Sequence, residues 1–410
     1  MELPEAVKNL ISRLEEKGYQ AYLAGGCVRD FLLGKVPHDY DLTTDAVPDE
    51  IESIFEDYHT LGVGKAFGTI LVVTEIGNVE ITTFRADGTY SDGRKPDSVY
   101  FSKSLEEDVK RRDFTINAMA YSEKCGLIDF FGGKSDLEKK IIRTVGDPYE
   151  RFKEDNLRML RAVRFATTLS FEIESETMSV IKKLHEKLSG ISRERIREEW
   201  IKIITSENPS RGLFLLRDSG LSKIVFPDFD LWANENSESL EKLYCDLDRG
   251  PKTYLHRMLI FFHAAKSMKD LEGIRPTVNE RSLLKQLLDF TYPEIINSFY
   301  VKKLMAGLTL DNLRYILDVK CFLEGEDSNA KKARVIMERV LSDGEPYSIG
   351  DLSINGKDVI ERGFPEGRAV GEILEKVLLK VLETPSLNER EVLLNYIDKC
   401  GREYEQIFRN

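Results

Sequence analysis

The chain has few cysteines, and they lie far apart. Cys27, Cys125, Cys245, Cys321 and Cys400 form no CxxC pair. That excludes a clustered zinc site and fits scattered reduced thiols in a cytoplasmic protein. No apolar run approaches the length of a membrane-spanning helix, so no membrane association is expected. The longest, around Met258 to Ala265, reads as a buried helix segment. The opening MELPEAVKNLISRLEEKGY is an amphipathic, partly acidic helix pattern. It has no basic region ahead of an apolar core, so no signal peptide is expected. Internal repeats, low-complexity tracts and long Pro/Gly linkers are all missing. Positive charge is also in deficit, with a formal net charge of -12. Taken alone, that argues against nucleic acid, whose phosphates need Lys and Arg. A net value can hide a local basic lining, however. The stretch KRRD (110–113) and the arginines at 158, 161 and 164 are candidates for one.

What is present supports more than one domain. The chain has 410 residues, of which 41% are apolar, enough for sizeable cores. AYLAGG (21–26), DYDLTT (39–44), TILVVT (69–74) and VEITTF (79–84) carry strand signals. The last two flank EIGN, a hairpin turn. CVRDFLLG and PDEIESIF read as helices between strands. The first 140 or so residues are therefore a small α/β domain with a mixed, partly antiparallel sheet. From residue 141 the pattern turns helical and stays so. Asp147 can cap, Pro148 sits at the first helical position, and Glu150 lies three after the cap. Further helices are predicted at 175–188, 194–205, 208–219, 237–246, 280–290, 311–324, 328–341 and 367–383. The expected division is an α/β head at 1–140, a helical neck at 141–205, a helical body at 206–310 and a helical tail at 311–410.

Chemistry concentrates in AGGCVRDFLLGKVPHDYDL (24–42). Glycine lacks a Cβ, so backbone at Gly25 and Gly26 can approach phosphates closely. A helix starting there points N–H groups and its positive dipole end at the same place. Arg29 in its first turn adds a positive fork for a triphosphate. Asp39 and Asp41 are two apart, so on a strand they share a side. Two such carboxylates with no cationic side chain between them suit Mg²⁺. Glu80 in VEIT can project from a neighbouring strand as a third carboxylate. A triphosphate grip beside metal-holding carboxylates describes nucleotidyl transfer. A lone GG or a lone DxD would be no more than a turn or a strand edge. The strand–GG–helix–strand order sets this one apart.

GGCVRDFLLG followed by DYD resembles the nucleotidyltransferase superfamily, and more narrowly the class II tRNA nucleotidyltransferases (CCA-adding enzymes) and bacterial poly(A) polymerases. KRRDFTINAMA (110–120), IDFFGG (128–133), EDNLRMLRAVRF (154–165) and ISRERIREEW (191–200) resemble further ordered motifs of that family. The match is dense over residues 20 to 200 and thins afterward, although LSINGKDVI is similar to the family's C-terminal region. The resemblance implies addition of C, C and A to the 3′ end of tRNA from CTP and ATP, with Mg²⁺. It implies no protein partner.

EDNLRMLRAVRF can also be read physically. Asp155 and Arg158 are three apart and are expected on one helix face. Phe152, Met159 and Val163 fall on another face, which can be buried. A carboxylate only accepts hydrogen bonds and a guanidinium only donates them. Cytosine and adenine both present an amino donor beside a ring-nitrogen acceptor; uracil and guanine present the reverse. One Asp–Arg pair can therefore accept C and A and reject U and G. The resemblance implies the same role for these two positions. It also places Arg161 and Arg164 along the nucleotide pocket. Glu154–Arg158 is an ordinary intrahelical spacing and reads as a solvated ion pair.

In KRRD, Arg112 is expected on the nucleotide, and Asp113 to hold the ribose or order the motif. Lys110 and Arg111 read equally as a charged helix start. Glu194 and Arg195 either brace the base-selecting helix or form a solvated face. TTFRADGTYSDGRKPDSV (82–99) reads as a mobile loop, full length by resemblance, which favours complete CCA addition or A addition alone. His256 and His263 lie seven apart with no Asp after either, and read as packing histidines. The Gly-Lys of SINGKDV is either a phosphate contact or a capped turn. Two enzyme readings stand beside CCA addition: an A-adding specialist and a poly(A) polymerase. The absence of a basic C-terminal tail weighs against the latter. A non-catalytic RNA-binding protein on a transferase fold is the reading from a different class, and intact Asp39 and Asp41 speak against it.

Overall fold

The computed structural model describes residues 3–88, 99–293 and 295–408. The chain divides into two compact units. One comprises residues 1–248 with 269–275, the other 249–268 with 276–410.

The first unit opens with α1 (Glu5–Glu16), which buries Val7, Leu10, Ile11 and Leu14 at helical spacing. Then come β1 (Ala21–Ala24), α2 (Gly26–Leu32), β2 (Tyr40–Thr44), α3 (Pro48–Ile54), β3 (Thr60–Leu61), β4 (Thr69–Thr74) and β5 (Gly77–Thr83). A short pair, β6 (Arg85–Asp87) and β7 (Val99–Phe101), leads to α4 (Leu105–Lys110). β8 (Met119–Ser122), β9 (Gly126–Asp129) and α5 (Gly133–Glu138) complete the α/β part. The sheet has seven strands in the order β3-β4-β5-β2-β1-β8-β9. Only β2 and β5 pair in parallel, with Asp41 opposite Glu80. The rest of the sheet is antiparallel, so it is mixed as expected. Thr74 pairs with Gly77 at the hairpin turn between β4 and β5. Ala24, Phe84, Leu105, Val109, Ala118, Ala120 and Val145 form a core against one end of this sheet.

Helices dominate from there, with one departure from the expected all-helical extension. β10 (Ile141–Ile142) and β11 (Glu172–Ile173) form a parallel two-residue ladder. Between them lie α6 (Pro148–Glu154) and α7 (Leu157–Leu169). Asp147 caps α6 by accepting from Tyr149 N–H at 2.8 Å, with Pro148 as the first helical residue. α8 (Ser175–Leu184) and α9 (Arg193–Ile204) follow, and α9 packs on α7. The segment read as a loop at 82–99 is strand at its flanks, because Arg85, Ala86 and Asp87 pair with Phe101, Tyr100 and Val99. Residues 89–98 of that segment lie outside the described residues.

In the second unit, Tyr254–Ala265, Val278–Asp289, Ser298–Gly307, Leu310–Glu324, Asn329–Ser342, Gly356–Glu361, Arg368–Glu383 and Arg390–Phe408 are helices. Val301, Met305, Leu313, Leu317, Met337 and Val340 form one core cluster, and Val359, Ile373, Val377, Val381 and Ile397 belong to another. His256 lies within this helical packing, its ring 4.9 Å from that of Tyr315. At SINGKDV the capped turn prevails. Asn355 accepts from Lys357 N–H at 2.9 Å, Asp358 reaches back to Asn355 N–H, and Arg390 pairs with Asp358. The helix end is thus satisfied by the chain's own carboxylate.

Candidate active site

One cavity of about 580 Å³, wholly within the first unit, gathers nearly every residue singled out from the sequence. Gly25, Gly26, Arg29, Asp39, Asp41, Arg112, Asp113, Asp155, Arg158, Arg161 and Arg164 all line it. Glu80 does not line it, but stands beside Asp41 on the adjacent strand. Arg111, Arg195 and Lys202 add further positive charge to the lining. The acidic chain therefore hides a strongly basic cavity.

β1 delivers the glycine pair, and α2 starts at Gly26. Gly25 has a φ of +84°, and a Cβ there would lie 2.6 Å from Arg112 Nη1. Glycine is favoured here by the positive φ of the turn, and a side chain would also push aside the tip of Arg112. Arg29 donates to Asn117 Oδ1 at 2.7 Å and to Asp30 at 2.9 Å. Lys110, Arg111 and Arg112 stand at the C-terminal end of α4, not at a helix start. Fully buried Asp108 holds this end, pairing with Arg111 at 2.7 Å and Arg112 at 3.4 Å. Burial would raise its carboxyl, but these two guanidinium groups hold it below the usual range.

Asp41 is in the opposite state. Burial, the facing charge of Glu80 and the nearby charge of Asp39 push its carboxyl up to about 6, against the opposing pull of Arg112. Asp39 sits just before β2, exposed at the same mouth. Among the described residues, no group of three or more His, Cys, Asp or Glu side chains forms a closed metal cage. Asp39 and Asp41 are an open carboxylate pair on the cavity wall, and the pull of Arg112 does not offset burial and the neighbouring acids at Asp41.

Asp113 is saturated. Oδ1 accepts from Phe114 N–H at 2.8 Å and Asn117 Nδ2 at 3.2 Å. Oδ2 takes Arg161 Nε at 2.8 Å and Nη2 at 2.6 Å. A carboxylate has about four acceptor sites. Of the two readings for Asp113, ordering the motif fits this bonding and holding a ribose does not. Burial would raise its carboxyl, but Arg161 and Asn117 hold it well below the usual range.

The helix expected to carry Asp155 and Arg158 on one face is broken. Asp155 separates α6 from α7 in extended conformation, with φ -144° and ψ 104°. Its side chain competes with the helix by accepting from Leu157 N–H at 3.1 Å. Asp155 and Arg158 therefore share no helix face, and each has other partners. Asp155 takes a two-pronged pair from Arg195, at 2.7 and 3.2 Å. Arg158 donates to Glu154 and to the carbonyls of Arg151 and Arg111, both at 3.1 Å. Both line the cavity all the same. The Glu154–Arg158 spacing, read as a solvated pair, is a part-buried anchor instead. Phe152, Met159 and Val163 are fully buried as expected, but on two helices, Phe152 on α6 and Met159 and Val163 on α7, and not on one continuous face. Glu194 turns away to pair with Arg275.

Besides Lys202, three contributors escaped sequence reading. Asn117 links Arg29 to Asp113. Buried Glu199 holds Arg164 at 2.8 Å and Arg161 at 3.7 Å. Phe165 lies under the arginine row, with Arg164 3.4 Å above its ring. The one available signal was α9 itself, where Arg195, Glu199 and Lys202 fall at i, i+4 and i+7.

The chain is similar to known proteins along most of its length. The family model described as "Poly A polymerase head domain" matches residues 21–143. A second, "Probable RNA and SrmB- binding site of polymerase A", matches residues 170–232. A CCA-adding enzyme of Ligilactobacillus salivarius is 36% identical, over 96% of this chain and 96% of its own. One from Staphylococcus haemolyticus is 34% identical, over 97% of this chain and 98% of its own. The crystal structure of the Bacillus stearothermophilus CCA-adding enzyme in complex with CTP superposes with a TM-score of 0.81 at 30% identity, covering 99% of this chain and 100% of that one.

Proposed function

The chain belongs to the CCA-adding enzyme family, and from that premise we propose that it adds C, C and A to the 3′ end of tRNA from CTP and ATP. In each step the tRNA 3′-oxygen bonds to the α-phosphorus, the α–β bridging P–O bond breaks, and pyrophosphate leaves. The observation that carries this reading is the single cavity holding an open carboxylate pair, a basic lining, and Asp155 with Arg158.

Asp39 and Asp41 would hold Mg²⁺. The fit lies in the donor set: hard carboxylate oxygens, open on the cavity side, with Asp41 pushed up to about 6 by burial and the neighbouring acids Glu80 and Asp39. Mg²⁺ takes one or two carboxylates plus substrate phosphates rather than a closed protein cage. When bound, the metal would activate the attacking hydroxyl and steady the leaving pyrophosphate. Glu80 would act through its field on Asp41. Gly25 and Gly26 leave room at the turn, while Arg29 and Arg112 grip the triphosphate. Asp113 fixes Arg161, and Arg164 extends the basic wall. Asp155 accepts from the amino group of cytosine or adenine, and Arg158 donates to the neighbouring ring nitrogen.

The four-part division into head (1–140), neck (141–205), body (206–310) and tail (311–410) stands as part of this reading. The helices beyond the neck would hold tRNA through phosphates and shape. The setting would be the cytoplasm; no helix among the described residues is long and apolar enough to cross a membrane. Incorporation of labelled CTP and ATP into tRNA lacking its 3′ end tests the proposal. Magnesium-dependent incorporation that Asp41→Asn abolishes is expected. Incorporation of neither nucleotide would overturn it.

A further inference from the structure

We propose that Lys202 binds the terminal phosphate of the incoming nucleoside triphosphate and stays with it in the departing pyrophosphate. The inference rests on Arg29 and its neighbours gripping the triphosphate, and it adds a residue that no motif singled out.

The arginines on the cavity wall each meet a carboxylate of the chain, as Arg29 meets Asp30 and Arg164 meets Glu199, both at 2.8 Å. Their charge is thus answered within the protein, although each guanidinium keeps further N–H groups to donate. Lys202 lines the same cavity and, among the described residues, pairs with no carboxylate. Its side chain is exposed and carries a whole positive charge that a ligand can meet. Elsewhere on the surface such a lysine would be a solvated charge. Its position gives this one a partner.

Lys202 stands on α9, which packs on α7. The two helices run side by side in the same direction. Asp155, just before α7, meets Arg195, and Arg161 and Arg164 further along α7 meet Glu199. One turn beyond Glu199, Lys202 continues that row past Arg164. Its distance along the helix from Arg195 is about 10 Å, at ~1.5 Å per residue. Asp155 therefore lies toward one end of the cavity and Lys202 toward the other. Arg29 reaches the second end, its guanidinium 5.3 Å from the Phe165 ring, beside which Arg161 and Arg164 stand at 5.5 and 3.4 Å. A nucleotide with its base at Asp155 directs its phosphates toward these arginines, and the phosphate farthest from the base comes nearest Lys202. An ammonium on a four-carbon stem is a compact, mobile point charge, whereas the paired guanidinium groups are fixed. Such a charge can follow the terminal phosphate as pyrophosphate leaves.

The test compares the wild type with Lys202→Ala and Lys202→Arg at fixed Mg²⁺. Single CTP incorporation into tRNA lacking CCA is measured, with pyrophosphate, CDP or CMP added as inhibitor. Lys202→Ala should raise KM for CTP and the inhibition constant of pyrophosphate roughly tenfold, with kcat at saturation little changed. CDP and CMP lack the terminal phosphate, so their inhibition should not change, which also reports a folded pocket. KM for tRNA and the C-over-U preference should stay at their wild-type values. Lys202→Arg keeps the charge and should recover most of the loss. Unchanged KM for CTP with unchanged pyrophosphate inhibition would overturn the proposal. So would a loss of CDP inhibition as large as that of pyrophosphate, which would put the effect on the inner phosphates or on folding. A raised KM for tRNA with pyrophosphate inhibition intact would place Lys202 on the RNA strand and overturn it as well. A wild type in which pyrophosphate does not compete with CTP would instead overturn the triphosphate-grip reading beneath, whatever Lys202 does.

Discussion

At the scale of residues, Asp41 and Asp113 are two carboxylates with opposite fates. Asp41 has its carboxyl raised to about 6 by burial and neighbouring acids. Ionising it therefore costs stability between the unfolded value of about 4 and the folded value, and that cost persists at higher pH. Two outcomes follow. Asp41→Asn should melt higher than the wild type in metal-free buffer near neutral pH, yet lose roughly a thousandfold or more in activity. Mg²⁺ should raise the melting temperature more at about pH 8 than at about pH 5, where a proton competes for Asp41. Thermal melts with and without Mg²⁺ check both; an equal rise at the two pH values would sink the metal reading of Asp41. Asp113 has its pKa depressed, so its contribution is complete above the ordinary Asp value of about 4 and is lost as pH falls below it. Asp113→Asn should cost roughly 1–3 kcal/mol near neutral pH and flatten the acid limb of the stability profile, read by urea titration. The carboxylates themselves were legible in DYD and KRRD. The pairing of Asp113 with Arg161 was not, because the two are 48 positions apart.

At the scale of elements, most helices and strands follow from periodicity, as α1 and β4–β5 show. The informative miss is the break at Asp155. A pattern read as continuous helix splits because an Asp side chain offers Leu157 N–H an alternative acceptor. The break brings a side chain to the cavity that a continuous helix would place by rotation alone. Likewise the short β10–β11 ladder escaped notice, since two-residue strands carry no measurable alternation. The β1–α2 turn gives a prediction at this scale. Gly25→Ala places a side chain at a φ of +84° against Arg112. It should cost roughly 1–3 kcal/mol in urea unfolding and displace Arg112, with a rise in KM for CTP. Unchanged stability and KM would contradict the role given to the turn.

At the scale of the whole molecule, a net charge of -12 taken alone argues against a polyanionic substrate, yet the acidic total surrounds a cavity lined by the arginines named as a candidate basic lining. Composition was silent on this, because a total carries no positions. The account makes the cavity choose bases without a nucleic-acid template, so Arg158→Ala should relax discrimination against UTP and GTP by about 10- to 100-fold, one unpaired buried group's worth. Wild-type discrimination in that variant, measured by single-nucleotide incorporation, would remove Arg158 from base selection.

The measurement closest to the central claim is the length of the product on a denaturing gel. The substrate is tRNA ending at the discriminator base, supplied with Mg²⁺, CTP and ATP together. The account predicts extension by C, C and A and then arrest. A ladder of A residues, or extension only of tRNA already ending in CC, would contradict it.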